Sequence, residues 1–351
     1  MLLGSRIALG VYVPAISIKK QLEAMGHSAD ILCLEDLYSD REAVIEETKR
    51  SFHQDFRLAK MSYRMPTRNT SAVDAGLADK LLGRLVDDMY DTVIIFSGFW
   101  MKIINELLAS CDHYKDRIYA LHMDAGQSLS WKGVDRSCVK DVWLYSLEHG
   151  KVQSLLERPV VVKPESKRIL VHGGGWGIGD YASRIKQLNE LGYALDIVIY
   201  YPDEIDTEDE INTYYLLDPE WKPDEKRSEY PRLLIYKEGE FVPFGDNTGD
   251  INPLRELMNR DVAVLSKPGG GTLSDSLITA TPLILGEELA RYEADNKKLW
   301  IDLGFAVDLG ELLNVEHSGD DEPKTEELLE ECRQNLLSAQ TGLPHILDLI
   351  I

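Results

Sequence analysis

The sequence has only four cysteines, Cys33, Cys111, Cys138 and Cys332, and no CxxC pair among them. That spacing excludes a zinc ribbon and a disulfide framework, and it fits free thiols in a reducing compartment. No apolar run approaches the ~20 residues that a membrane span requires. The opening MLLGSRIALGVYVP has no basic stretch before its apolar residues and no small-residue cleavage site, so it reads as a first strand and not as a leader peptide. A cytoplasmic protein is expected. Positive charge is scarce too: 38 Lys and Arg stand against 60 Asp and Glu, a net charge of −22. No basic face dominates, which argues against nucleic acid as a partner. The acidity is uneven. Residues 203–229 carry 11 acidic and 3 basic side chains, and residues 308–331 carry 10 and 1. Both blocks read as solvated surface, the first as an insertion or long loop.

Several nucleotide-site signatures are missing as well. At the P-loop spacing of Gly174 and Gly179 the next residue is Asp180, an acid where phosphate needs a lysine. There is no GxGxxG fingerprint, no DxD, no GxSxG elbow and no HExxH. An ordinary ATPase, a dinucleotide dehydrogenase and a serine hydrolase each lose their usual support.

What is present is an alternation of apolar strands and amphipathic helices. RIALGVYV, ADILCLE, DTVIIFSGF, RIYALHMD and VWLYSL predict strands in the first half, with helices between them. The proline-containing stretch 158–167 predicts a linker, and the pattern then restarts with RILVHGGGWGIGDY. LDIVIYY, RLLIYK, EFVPFG, VAVLS and PLILG predict further strands; PLRELMNR and TLSDSLITA predict helices. The expected fold class is α/β, with two Rossmann-like domains at 1–160 and 161–351 facing a cleft. The apolar C-terminal segment is expected to dock on the body.

Two glycine clusters, Gly173–Gly179 and Gly269–Gly271, follow predicted strands and lead toward predicted helices. Such a junction offers unpaired backbone N–H groups and the positive end of a helix dipole, and glycine lets a bulky anion approach them. The densest polar chemistry lies in SKPGGGTLSDSLITATPLILGEELARYEADN, residues 266–296. Gly269, Gly270, Gly271 and Thr272 can donate to a diphosphate, Asp275 sits one helical turn on, and Glu293 and Asn296 stand three apart near the next strand end.

This stretch resembles the donor-binding segment of GT-B glycosyltransferases. The similarity is nearest to MurG-like enzymes and processive diacylglycerol glucosyltransferases, and more distant to UDP-glucuronosyltransferase-like enzymes. It covers 262–307: the Ser266-Lys267-Pro268-Gly269-Gly270-Gly271-Thr272 turn, Asp275 where a glutamate is usual, the Thr281-Pro282 pair, then Glu293 and Asn296. The resemblance implies that Ser266, the glycines and Thr272 hold diphosphate, Asp275 the ribose, and Glu293 and Asn296 the sugar hydroxyls. It also places Gly174 and Gly175 near the diphosphate. It departs at GVYVPAI (10–16), which has neither the glycine-rich loop nor the histidine common after the first strand, and at Tyr292, where glutamine is common.

The implied activity is metal-independent, inverting transfer of a hexose from a UDP- or dTDP-sugar to a small-molecule or lipid acceptor. No cofactor beyond the nucleotide-sugar co-substrate is expected. A hydrolase or epimerase of the same fold, and a non-catalytic donor-binding subunit, are the alternatives. Inverting transfer needs a general base. Asp124, with His122 beside it, ends a first-half strand and is the candidate. Phe99 and Trp100 are candidates to line the acceptor pocket, and the loop at Phe244 and Gly245 to read the nucleobase. Residues 49–68, with six Lys or Arg and interleaved aromatics, are a candidate for an anionic acceptor or peripheral membrane contact; the plain alternative is a helix face that pairs with the acidic loops.

Overall fold

The computed structural model describes all residues except 7–8, 39–41, 64–72, 157–163, 165, 224–228, 246–248 and 316–324. The first half runs β1 (Leu2–Gly4), α1 (Leu9–Ala24), β2 (Ile31–Cys33), α2 (Glu42–Gln54), α3 (Phe56–Ser62), α4 (Ala75–Asp88), β3 (Val93–Ile95), α5 (Met101–Ser110), β4 (Ile118–His122) and β5 (Lys140–Trp143). A small hairpin, β6 (Tyr145–Ser146) and β7 (Lys151–Val152), closes it. The sheet order is β2-β1-β3-β4-β5, all parallel.

The second half runs β8 (Ile169–Val171), α6 (Ile185–Glu190), β9 (Leu195–Ile199), β10 (Thr213–Leu217), β11 (Leu233–Lys237), β12 (Glu240–Pro243), α7 (Pro253–Arg260), β13 (Ala263–Ser266), α8 (Gly270–Thr279), β14 (Leu283–Leu285), α9 (Arg291–Asp302), β15 (Ala306–Asp308), α10 (Leu309–Val315) and α11 (Thr325–Gln340). Its order is β12-β11-β10-β9-β8-β13-β14-β15, parallel except where β11 meets β10 and β12. The two sheets draw their strands from 2–143 and 169–308, and most of the 158–167 linker lies outside the described residues.

Three expectations need correction. The first strand is Leu2–Gly4, and most of RIALGVYV belongs to α1. Leu9, Tyr12 and Ile16 are spaced three and four apart and buried together, which a strand would split between two faces. Burying each is worth about 1.5–3 kcal/mol, enough to tolerate Pro14, which cannot donate within the helix. The block 203–229 is not merely a loop: it holds β10, which pairs in parallel with β9 through Tyr214 and Tyr215. The stretch Gly173–Gly179 does not open a regular helix. Gly174, Trp176 and Gly177 all take positive φ (71°, 62° and 68°), the wrong hand for an α-helix, and α6 starts only at Ile185.

Each half has an apolar cluster of its own, and a third spans both. α1 packs on α8, so Leu9, Tyr12 and Ile16 join Leu273 and Leu277 in a single apolar cluster. The C-terminal end bridges them again. Arg333 of α11 donates to the Ala280 carbonyl. The tail then crosses to the first half, where Ile346 N donates to Ser154 O (3.0 Å) and His345 meets Gln21 (3.0 Å).

Candidate active site in the cleft

In the second sheet, chain order reverses between β8 and β13, and in the first between β1 and β3. Parallel sheets leave a crevice at the carboxyl ends of such strands. Both glycine clusters emerge there, Gly173–Gly179 after β8 and Gly269–Gly271 after β13. Opposite them stand the ends of β1, β3 and β4. Between the halves lies one cavity of about 670 Å³. It is lined by Asp124, His122, Gly174, Gly175, the Gly269–Thr272 turn, Asp275 and Glu293; Ser266 and Asn296 sit behind its wall.

Gly269 is the N-cap of α8, in extended backbone and with no side-chain cap. The first amides of α8 therefore have no partner within their helix. Burial, with Glu293 adding, pushes the Asp124 carboxyl up to about 6; bonds from Asn296 and the Gly270 N–H, and the charge of Lys267, oppose that rise. A Cβ on Gly270 would fall 2.0 Å from the Met123 carbonyl and 2.8 Å from Asp124 Oδ1. Glycine at 270 is thus required by the approach of the two halves, apart from any ligand. Gly270→Ala is expected to lower the thermal midpoint, by a stability loss of about 1–3 kcal/mol. An unchanged melting curve would contradict this close approach.

Asn296 fastens the halves from behind the wall. Its Oδ1 accepts the Ala125 N–H at 2.7 Å, and its Nδ2 donates to Asp124 Oδ1 (2.8 Å) and Pro268 O (2.9 Å). Glu293 is 1% exposed and also fully engaged. One oxygen accepts from Lys267 Nζ and the other from Leu289 N–H (2.7 Å). Burial pulls the Lys267 pKa down, but the charge and hydrogen bond of Glu293, with Tyr63 and Asp124 adding, together hold the ammonium above its ordinary value. Glu293 of α9 thus positions a cation between the two glycine loops: Gly174 and Gly269 would place a Cβ 3.9 and 3.1 Å from Lys267 Nζ.

Asp275 is paired as well. Arg255 Nε of α7 donates to its Oδ1 at 2.6 Å, and the same guanidinium reaches Ser17 Oγ of α1 (3.2 Å). Burial acts against the Arg255 charge, yet Asp275 carries its pKa upward.

On the first-half side the wall carries an apolar patch of Leu9, Leu34, Phe52, Phe96, Phe99 and Leu129, set among polar residues that include Glu35, Lys49, Ser97 and Ser130. Phe99 lines the cavity as expected. Trp100 does not; it is fully buried in the core and donates its indole N–H to Gly4 O (3.0 Å). His122 is stacked on Trp143 at 3.9 Å, and its Nε2 meets Asp141 Oδ1 at 2.7 Å. Burial lowers its pKa despite that bond. Phe244 packs edge-on against Tyr215 and continues the β11 ladder through its N–H to Leu233 O, so neither it nor Gly245 faces the cavity. Tyr200, Leu217, Leu233 and Leu254 face it instead.

Part of the basic stretch 49–68 turns inward, and residues 64–68 lie outside the described residues. Lys49 sits 3.6 Å over the Trp176 ring, Lys60 pairs with Glu287, and His53 bonds Glu204 and the Gly177 carbonyl. These partners include the acidic block, as the plain alternative has it. Tyr63 reaches the cavity beside Tyr292, ring centroids 6.5 Å apart. Sequence reasoning missed Lys267 as the central cation, together with Arg255, His172, Tyr63 and Trp176. Lys267, His172, Trp176 and Tyr63 lie inside stretches the sequence marks, and Arg255 lies in a predicted helix with no site signal.

No family model matches the sequence, and no curated protein does. Solved structures match over the whole chain. The Streptomyces sp. SF2575 glycosyltransferase SsfS6, complexed with thymidine diphosphate, aligns over 99% of this chain and 97% of its own at 14% identity, TM-score 0.57. The chain has the GT-B fold. The spinosyn rhamnosyltransferase SpnG with thymidine diphosphate aligns over 99% and 98% at 11% identity, TM-score 0.55. The glycosyltransferase VinC in complex with dTDP aligns over 100% and 98% at 11% identity, TM-score 0.52. In this GT-B chain the cleft between the sheets is the cavity described above. No helix of the described residues is long and apolar enough to cross a membrane.

Proposed function

We propose that this chain transfers a sugar from a UDP- or dTDP-sugar to an apolar small-molecule or lipid acceptor, with inversion and without a metal ion. The observation that carries the reading is convergence: Lys267, the first amides of α8 and the Gly174 loop meet on one side of a cavity whose other side carries the apolar patch of Phe52, Phe96 and Phe99. The first group suits a diphosphate and the second an aglycone. Thymidine diphosphate in SsfS6 and SpnG agrees with a nucleoside-diphosphate guest. A hydrolase or epimerase would have no use for the Phe52–Phe96–Phe99 wall, which favours transfer.

In this reading Lys267 and the α8 amides stabilise the departing diphosphate, work that a metal ion would otherwise do. Asp275 accepts from the ribose while Arg255 holds it in place. Glu293 and Asn296 keep Lys267 and Asp124 in position, beside the sugar hydroxyls that the resemblance assigns to them. Asp124 takes the acceptor's proton as the new glycosidic bond forms and the anomeric carbon–phosphate-oxygen bond breaks.

A thermal-shift panel of UDP, dTDP, GDP and ADP sugars tests the donor class. UDP or dTDP sugars at a hundred times their Kd are expected to stabilise the chain by about 2.7 kcal/mol. Turnover is expected to persist in EDTA. Silence across the panel, or activity abolished by the chelator, would overturn the reading.

A further inference from the structure

The pair α2–α3 belongs by sequence to the first half, yet it reaches across to the second. α2 packs on the turn Gly175–Gly177 after β8, and Thr48, Lys49, Phe52, Ser62 and Tyr63 of the pair line the cavity. The pair therefore forms a strap along one side of the cleft. His53, in the last turn of α2, is its most deeply seated polar tie, with a side chain 8% exposed. A Cβ on Gly177 would fall 2.4 Å from His53 Nδ1, and Gly177 has φ +68°, so glycine at 177 is what lets the ring come in.

Both ring nitrogens meet acceptors. Nδ1 lies 2.9 Å from Gly177 O, and Nε2 meets Glu204 Oε1 in the turn after β9. A carbonyl can only accept. The Glu204 carboxylate is ionised: its other oxygen accepts the N–H groups of Tyr200 (2.6 Å) and Tyr201 (3.0 Å). Burial raises the Glu204 pKa, but the His53 bond and those two N–H groups more than offset that and hold it below its ordinary value. A neutral imidazole has one N–H to give, so both bonds together require the imidazolium. For His53, burial acts to lower the pKa, but the bond and charge of Glu204, with the Gly177 and Trp176 backbone adding, hold it above 6.5. The surroundings are mixed. The Tyr200 and Tyr201 rings stand 5.5 and 5.1 Å away, and burial keeps both phenols above their ordinary pKa. Along α2, Lys49 lies over the Trp176 ring and bonds Glu46, and Arg50 lies over the Tyr201 ring, near Asp203. Asp55 opens α3 and accepts from Arg57 and Leu58 N–H.

We propose that α2–α3 is a pH-controlled strap: protonated His53 ties it to the second half through Gly177 and Glu204, and loss of that proton frees the strap and opens the cavity on this side. Deprotonation turns one ring nitrogen into an acceptor that faces an acceptor. The latch is complete below the ordinary histidine value of 6.5 and weakens as pH rises through the raised one. Lys60 with Glu287, half-exposed, is a tie of small worth. The strap carries Phe52 of the apolar patch, and the turn it grips follows Gly174, so both sides of the cavity feel the latch. The inference goes beyond the sugar-transfer reading and does not depend on it.

Amide hydrogen exchange of the full chain, read by fragment mass at about pH 6 and about pH 8.5, tests the latch, with each rate divided by the intrinsic rate at that pH. In the unmodified chain the amides of 46–62 are expected to lose protection several-fold at the higher pH, while those of β8, β9 and β13 keep theirs. His53→Gln keeps a donor but no charge. Its strap is expected to be as open at the lower pH as the unmodified strap is at the higher, and to change no further as pH rises. Glu204→Gln is expected to behave alike. Equal protection of the unmodified strap at both pH values would overturn the proposal. So would an undiminished pH dependence in His53→Gln, or a loss shared by β8, β9 and β13, which marks a weakening of the whole fold. Glu204 also holds the Tyr200 and Tyr201 N–H groups, so thermal midpoints would be recorded; if a variant does not fold, the unmodified chain decides alone. No nucleotide enters the measurement, so failure here leaves the donor reading standing.

Discussion

Asp124→Asn is expected to reduce sugar transfer by about 10²- to 10⁴-fold, the range for losing a general base. Nucleotide affinity should move the other way. The Asp124 carboxylate is bonded to the Gly270 N–H, the amide that opens α8, and it stands close enough to Glu293 and Lys267 to feel both charges. An arriving diphosphate meets that negative charge at the mouth of the helix. Asparagine keeps the shape and removes the charge, so UDP should bind a few-fold tighter while turnover collapses. The pH profile gives a second signature. A base must be ionised, and burial holds this carboxyl at about 6. Turnover in the unmodified chain should therefore fall as pH drops through about 6, and stay level above it on this limb. The variant's residual activity should lack that limb. Full turnover in Asp124→Asn would move the base elsewhere, His122 with Asp141 being next in line.

Lys267→Met is expected to weaken UDP or dTDP binding by about 100-fold or more and to destabilise the fold by about 3–5 kcal/mol. The two effects have different causes. Affinity falls because the cation between the glycine loops is lost. Stability falls because Glu293, 1% exposed, is left as a buried charge without its partner. Adding Glu293→Gln removes the stranded charge. The double variant should regain most of the thermal midpoint and none of the nucleotide affinity. Joint recovery of both would mean that Lys267 acts only by holding the fold, and the proposed anion site would lose its central group.

The turn 266–272 and the helix after it were legible because strand, glycine and helix signals lie within a dozen neighbouring residues. The same local logic placed α7, α8, β13 and β14 where they are found. It failed at residues 6–13, where an apolar run suits a strand or a helix equally well and only packing against α8 decides. It also misjudged Trp100 and Phe244: the Gly4 carbonyl receives the Trp100 indole N–H, and the Phe244 ring packs edge-on against Tyr215. Glycine at 270 was read as room for phosphate, while the structure shows the Met123 carbonyl already against it.

Sequence alone established the alternating α/β architecture and the positions of the two glycine clusters, because hydrophobic period and turn chemistry act over a few residues. Tertiary structure decided which groups meet. Asn296 fastens Asp124 across 172 positions of chain, and Lys267 finds Glu293 26 positions away. Such pairs are chosen by sheet order and by the free energy of burying charges together, and neither quantity is written in local spacing.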